Sequence, residues 1–137
     1  MFELSRRLEF SAAHRLHNPA FSDARNRELY GVCNNPHGHG HNYVLDVTVR
    51  GPADADTGMV MDLNRLAVLL DELIFQEVDH RHLDHDVAWL SGRVSTAENV
   101  VAAMWERIAP RLDGLLYRMR LWESRHNFVD YLGPDAS

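Results

Sequence analysis

Cys33-Asn-Asn-Pro-His-Gly-His-Gly-His-Asn-Tyr43 runs without a break into Tyr43-Val-Leu-Asp-Val-Thr-Val49, and the reading of this join decides the fold. The second part alternates apolar and other residues, the period of a half-buried β-strand. Residues two apart on a strand point to the same face, so extending the period backwards sets His39 and His41 side by side. Gly38 and Gly40 leave the opposite side bare. Two imidazoles on one face of a rigid strand are half of a zinc site, since zinc takes neutral imidazole and a catalytic zinc has three protein ligands and an open position. The third ligand must come from elsewhere. His14 ends the preceding strand-like segment and is one candidate. His17, two residues on, and His37, of the same parity as His39 and His41, are others.

Working outward, Phe2 to His14 mixes alternation with apolar residues and reads as a strand. The segment from Arg15 to Pro36 carries Asn18-Pro19, Gly31 and Asn34-Asn35-Pro36, which is loop chemistry, with a short helix available over Ser22 to Tyr30. A strand from about His39 to Arg50 then pairs with the first. Gly51 to Gly58 is a turn. Asp62 caps a helix whose Leu63, Leu66, Leu69, Leu70, Leu73 and Ile74 recur at helical spacing, ending near Val78. Asp79 to Asp86 is a polar, histidine-rich connection. Ser95-Thr-Ala-Glu98 reads as a capping box for a second helix that stops at Pro110. Leu115 to Ser124 and Asn127 to Leu132 are the last two strands. The order ββααββ predicts an α+β fold, a four-stranded antiparallel sheet with two helices on one face. The bare edges of so small a sheet favour oligomerisation edge to edge.

Composition bounds the function. The 137 residues suit one domain spanning 1–137, with 45% apolar and 25% charged residues, as in soluble globular chains. No apolar run reaches the roughly 18 residues of a membrane span, and the first residues do not read as a signal peptide. One cysteine excludes an internal disulfide and fits a reducing cytoplasm. A net charge of −6 argues against nucleic acid as partner. Nine clustered histidines favour metal or acid–base work. A metal hydrolase on a (β/α)₈ barrel fails on length, since that fold needs about 250 residues.

Several other residues carry chemistry and an ordinary alternative. Cys33 is either a buried apolar residue or, in a polar loop near a cation, a thiol of lowered pKa able to act as base. Asp79-His80 follows a helix end; it is a surface pair, or a carboxylate orienting an imidazole for proton transfer. Glu98 is first of all the capping-box glutamate. Glu123, beside Trp122 in a β-type run, is an exposed strand residue or a carboxylate able to pair with a guanidinium-like edge.

Taken together, Phe10-Ser-Ala-Ala-His14, Cys33 to Tyr43, Thr57-Gly-Met-Val-Met-Asp-Leu63, Val78-Asp-His-Arg-His-Leu-Asp84 and Ser95-Thr-Ala-Glu-Asn-Val100 resemble the 6-pyruvoyl tetrahydropterin synthase family, which includes the 6-carboxytetrahydropterin synthases of queuosine biosynthesis. The resemblance spans about Phe2 to Gly133. It implies the tunnelling fold (T-fold), in which three units close a twelve-stranded barrel and two trimers stack into a homohexamer. It implies zinc held by His14, His39 and His41, with His37 outside the set. It implies Cys33 as the base, Asp79 and His80 as a proton-relaying pair from a neighbouring subunit, and Glu123 as the anchor of the pterin ring, with Thr96 and Glu98 near the same pocket. The implied activity is a zinc-dependent lyase acting on 7,8-dihydroneopterin triphosphate to give 6-pyruvoyl-tetrahydropterin. The five residues between Cys33 and His39 resemble the pyruvoyl-forming branch. The carboxy-forming reaction is the alternative, and a non-catalytic pterin- or metal-binding relative is a third reading.

Overall fold

The computed structural model describes residues 1–135. Strand β1 spans Phe2–His14. Helix α1, Asp23–Tyr30, starts where Ser22 accepts a hydrogen bond from the Arg25 N–H and ends at Gly31. A 3₁₀ turn over Gly31–Asn34 carries Cys33. Strand β2 is His39–Gly51. Helix α2, Leu63–Leu70, is capped by Asp62, continues as a π turn over Asp71–Phe75, and finishes as α3, Gln76–Val78. Two residues, Arg81–His82, form β3, and α4 follows at Leu83–Asp86. The long helix α5 is Ala97–Ile108, and β4 and β5 are Leu116–Trp122 and Phe128–Tyr131.

The sheet order is β3-β1-β2-β4-β5. Strands β1 and β2 pair antiparallel over their whole length, with Leu8 opposite Leu45, Phe10 opposite Tyr43, Ala12 opposite His41 and His14 opposite His39. Strand β4 continues the antiparallel pattern, with Leu121 opposite Leu45 and Met119 opposite Val47. These residues share one face. They bury Phe10, Tyr43, Leu45, Val47, Val49, Met119 and Leu121 against Leu66, Leu70, Ile74, Val100, Met104 and Ile108 of the helical layer. The hydrophobic core is therefore one sheet face and two helix stripes, the expected layer arrangement.

Three expectations need correction. The sheet has five strands, because the chain after α3 is drawn along the outer edge of β1. The His80 N–H donates to Ser11 O at 2.6 Å, and Arg81 and His82 then pair in parallel with Ala12 and Ala13. The segment 79–86 is thus an edge strand and a helical turn around Leu83, which is fully buried. The cap of α5 is Thr96, whose hydroxyl accepts from the Asn99 N–H, and not Ser95. Ser95 is buried, and its carbonyl is committed to His14. Glu98 consequently sits in the first turn of α5, exposed, without the capping-box role.

Within the π turn, the carbonyl of Leu73 accepts from the Arg107 Nε–H at 2.8 Å. Arg107 also pairs with Glu77 and lies over the ring of Trp89, 5.0 Å from its centroid, tying α5 to the end of α3. Among the described residues no helix is long and apolar enough to cross a membrane.

Leu45 is wholly buried at the centre of the sheet. Leu45→Ala should lower the unfolding free energy by about 2–5 kcal/mol, the cost of lost burial plus a residual cavity. Urea denaturation of the two proteins, with unchanged slope and a lower midpoint, is the measurement.

Candidate metal centre

The core face does not end in an apolar residue. Continuing the column from Leu45 through Tyr43 on β2, and from Phe10 through Ala12 on β1, the next positions are His41, His39 and His14. Their rings meet edge to face: the centroids of His14 and His39 are 4.7 Å apart, His14 and His41 5.1 Å, and His39 and His41 4.9 Å. Tyr43, stacked on Phe10 at 4.9 Å, closes the floor under His41.

Hydrogen bonds fix the state of His14. Its Nδ1 lies 2.8 Å from the carbonyl oxygen of Ser95. A carbonyl only accepts, so Nδ1 carries a proton, which in the neutral ring leaves Nε2 as the lone pair. That lone pair faces His39 Nε2 at 3.1 Å. Burial, with His14 adding to it, lowers the pKa of His39. Burial also lowers that of His41, against the opposing pull of Glu123. Both are kept in the neutral form that ligates metal.

A carboxylate completes the group. Glu123 Oε1 is 3.1 Å from His41 Nε2 and 3.8 Å from His14 Nε2. Although 3.1 Å is a hydrogen-bond length, the approach is not aligned with the ring, and His41 Nε2 is a buried nitrogen without a hydrogen-bond partner. One ligand atom from each of His14, His39, His41 and Glu123 lies within 4.8 Å of the others. Bonds of about 2 Å in a tetrahedral site set ligand atoms about 3.3 Å apart. The shorter contacts match that spacing, and the orphaned His41 nitrogen has a partner if a cation lies between. The residues fit a divalent metal.

Glu123 and its neighbour Trp122 lie on opposite faces of the sheet. On its own face, the Trp122 Nε1–H donates to Asp46 Oδ2 at 3.3 Å. Glu123 has the parity of Met119 and Leu121 and so joins the histidines; that parity was present in the sequence. Two other contributors went unread. Ser95 orients His14 through a backbone carbonyl, which no side-chain pattern reports. Tyr43 was legible from its spacing to His39 and His41.

The remaining residues are not among the four converging ligand atoms. Asp79 accepts from the Ser11 N–H at 3.0 Å, and His80 Nδ1 lies 2.7 Å from Asp79 Oδ2. The bond from Ser11, more than His80, holds the Asp79 carboxyl below its ordinary pKa. The pair sits on the outer edge of β1, with His80 largely exposed and at φ +59. Cys33 is half-buried, and its carbonyl accepts from the Leu16 N–H. Thr96 caps α5 one residue beyond Ser95. His37 is exposed, and His17 Nδ1 accepts from Asn34. His82 stacks on His85 at 4.0 Å and caps α4. Its Nε2 presses on Gly38, where an added Cβ would lie 3.2 Å from that nitrogen and 2.9 Å from His14 O; with φ +77 the position favours glycine.

A largely antiparallel sheet backed by helices, its core face ending in three converged imidazoles and a carboxylate, defines an α+β protein with a donor group that could hold a metal ion. The chain belongs to the 6-pyruvoyl tetrahydropterin synthase family, whose model matches residues 3–134. It is similar to the 6-pyruvoyl tetrahydrobiopterin synthase of Homo sapiens, 46% identical over 132 residues covering 96% of this chain and 91% of that protein. The solved structure of Caenorhabditis elegans 6-pyruvoyl tetrahydropterin synthase superposes with a TM-score of 0.92 at 42% identity, covering 96% of this chain and 95% of that one. A Bacillus subtilis protein named 6-carboxy-5,6,7,8-tetrahydropterin synthase is more distant, 30% identical over 117 residues covering 83% of this chain and 70% of that protein.

Chelator-stripped protein should gain stability when a divalent cation is restored, by about 2.7 kcal/mol at a hundredfold excess over Kd. His14→Ala and His39→Ala should show little of that gain. Thermal melts with and without added metal make the comparison, and an equal gain in the variants would remove the cluster as the site.

Proposed function

We propose that the protein is a zinc-dependent lyase that converts 7,8-dihydroneopterin triphosphate to 6-pyruvoyl-tetrahydropterin with loss of triphosphate. The observation that carries this reading is the meeting of the His14 lone pair with His39 and His41 at one end of the core face, in a chain of this family. The greater likeness to relatives named for the pyruvoyl product, 46% against 30%, favours that product over the 6-carboxy alternative.

Zinc, held by His14, His39 and His41, would polarise the side-chain hydroxyls of the substrate and acidify the adjoining C–H bonds. The residues of the chain do the rest. Cys33 removes a carbon-bound proton through Sγ. His80, with Nδ1–H held by Asp79 Oδ2, presents Nε2 for the return of a proton. Glu123 anchors the pterin ring through paired hydrogen bonds, with Thr96 and Glu98 near the same pocket. Asp79 and His80 lie on the outer edge of β1, where a neighbouring copy would dock, and the pair serves that copy. Oligomerisation fits the edges: among the described residues no strand pairs the outer edge of β1, opposite β2, before Ala12, and β5 ends the sheet. Three copies closing edge to edge, stacked as two trimers, satisfy both. The setting is cytoplasmic.

Incubating the protein with dihydroneopterin triphosphate and weighing the pterin by mass spectrometry tests the reaction; a 6-carboxy product with released acetaldehyde would sink it. Cys33→Ala should cut turnover about 10²–10⁴-fold, the range of a lost acid–base group, with zinc content intact. Unchanged turnover would remove Cys33 from the mechanism.

A further inference from the structure

Glu123 reaches the cluster from a different strand than the histidines. It follows the end of β4, and continuing the pairing of Val44 with Trp122 sets it opposite Tyr43, on the core face. Its N–H donates to Asn127 O at 3.1 Å, which holds the backbone by extending the β4–β5 ladder. Its side chain is only 28% exposed.

No hydrogen bond accounts for where its carboxylate points. His14 Nε2, 3.8 Å from Oε1, is the lone pair of a neutral ring whose Nδ1–H is given to Ser95 O. His41 Nε2, 3.1 Å from Oε1, is not aligned to donate. A carboxylate oxygen facing nitrogen lone pairs is repelled unless positive charge lies between them. Three nitrogens and one carboxylate oxygen are a donor set that zinc accepts with tetrahedral geometry.

We infer that Glu123 is the fourth ligand of the metal in the substrate-free protein and the gate of the site, released from the metal when a pterin ring pairs with it. The second half rests on the pterin reading above. Pairing with the guanidine-like edge of a pterin engages both carboxylate oxygens, so Oε1 cannot serve ring and metal together. The site acquires an open position only when the ring is in place, and the substrate's own hydroxyls are then nearest to it. The exchange breaks no covalent bond and moves no proton. It trades one coordinate bond for two hydrogen bonds, and makes metal access conditional on recognition of the ring.

The test uses the full chain, chelator-stripped and reloaded with Zn²⁺ for affinity or with Co²⁺, whose visible spectrum reports coordination. Glu123→Gln should bind Zn²⁺ at least tenfold more weakly in chelator competition, with an altered Co²⁺ spectrum. 6-Methylpterin, which has no side-chain hydroxyl to offer a metal, should change the Co²⁺ spectrum of the unsubstituted protein and leave that of Glu123→Gln unchanged. Equal affinities and identical spectra in the two proteins overturn ligation. If 6-methylpterin fails to bind the unsubstituted protein, or binds without changing its spectrum, the gate is overturned. The pterin titration needs no variant to fold, and a melt of Glu123→Gln separates lost ligation from lost structure. Failure of the proposed reaction is read separately, in the product of the triphosphate incubation.

Discussion

When β1 and β2 pair with His14 opposite His39 and Ala12 opposite His41, backbone hydrogen bonds alone bring three imidazoles to one end of one face. A slip of one residue in either strand would send that strand's histidines to the other side of the sheet. Two devices hold the register. On the core face, Phe10, Tyr43, Leu45, Val47 and Val49 are buried only in this pairing. On the other face, directly opposed Arg7 and Asp46 form a two-bond ion pair at 2.8 and 3.0 Å. The Arg7 bond holds the Asp46 carboxyl below its ordinary pKa, and Trp122 on β4 adds a third bond to the same carboxylate. The exposed pair contributes little stability, but it costs something to mispair.

Most of the fold was legible because its signals are local and periodic. Alternation ended the first strand at His14, Asp62 announced its helix, and Ser22 to Tyr30 formed the short helix that its loop allowed. The misses share a cause. β3 is two residues held by β1, with no pattern of its own to detect. The cap of α5 moved from Ser95 to Thr96 because a residue 81 positions away claims the Ser95 carbonyl. In the site, parity carried His39 and His41, and the end of the strand carried His14. The face of Glu123 was legible from its parity with Met119 and Leu121; its nearness to the histidines depended on β4 pairing with β2, a tertiary fact.

Asp79 and His80 show a different kind of constraint. Both peptide groups of Ser11 that point outward from β1 are used, the N–H by Asp79 and the carbonyl by the His80 N–H. To make both bonds, His80 adopts a left-handed backbone, a conformation that costs a non-glycine residue about 1–2 kcal/mol. Strain held by such bonds is a motive to ask about function, and here it fixes an exposed imidazole at the outer edge of β1.

The π turn at Asp71–Phe75 belongs to this picture. A π turn places one residue more in the helix than an α-helix of equal length would hold. Each residue of an α-helix turns the chain by about 100° and advances it about 1.5 Å. The helix from Leu63 to Val78 therefore works as a dial as well as a spacer. Its first half is set by the core through Leu66, Leu69 and Leu70, and its second half is offset so that Val78 is buried while Asp79 arrives at Ser11. Arg107, by bonding the carbonyl of Leu73 inside the π turn, holds the dial at that setting. The chain thus sets the azimuth of its Asp–His pair by counting residues along the helix.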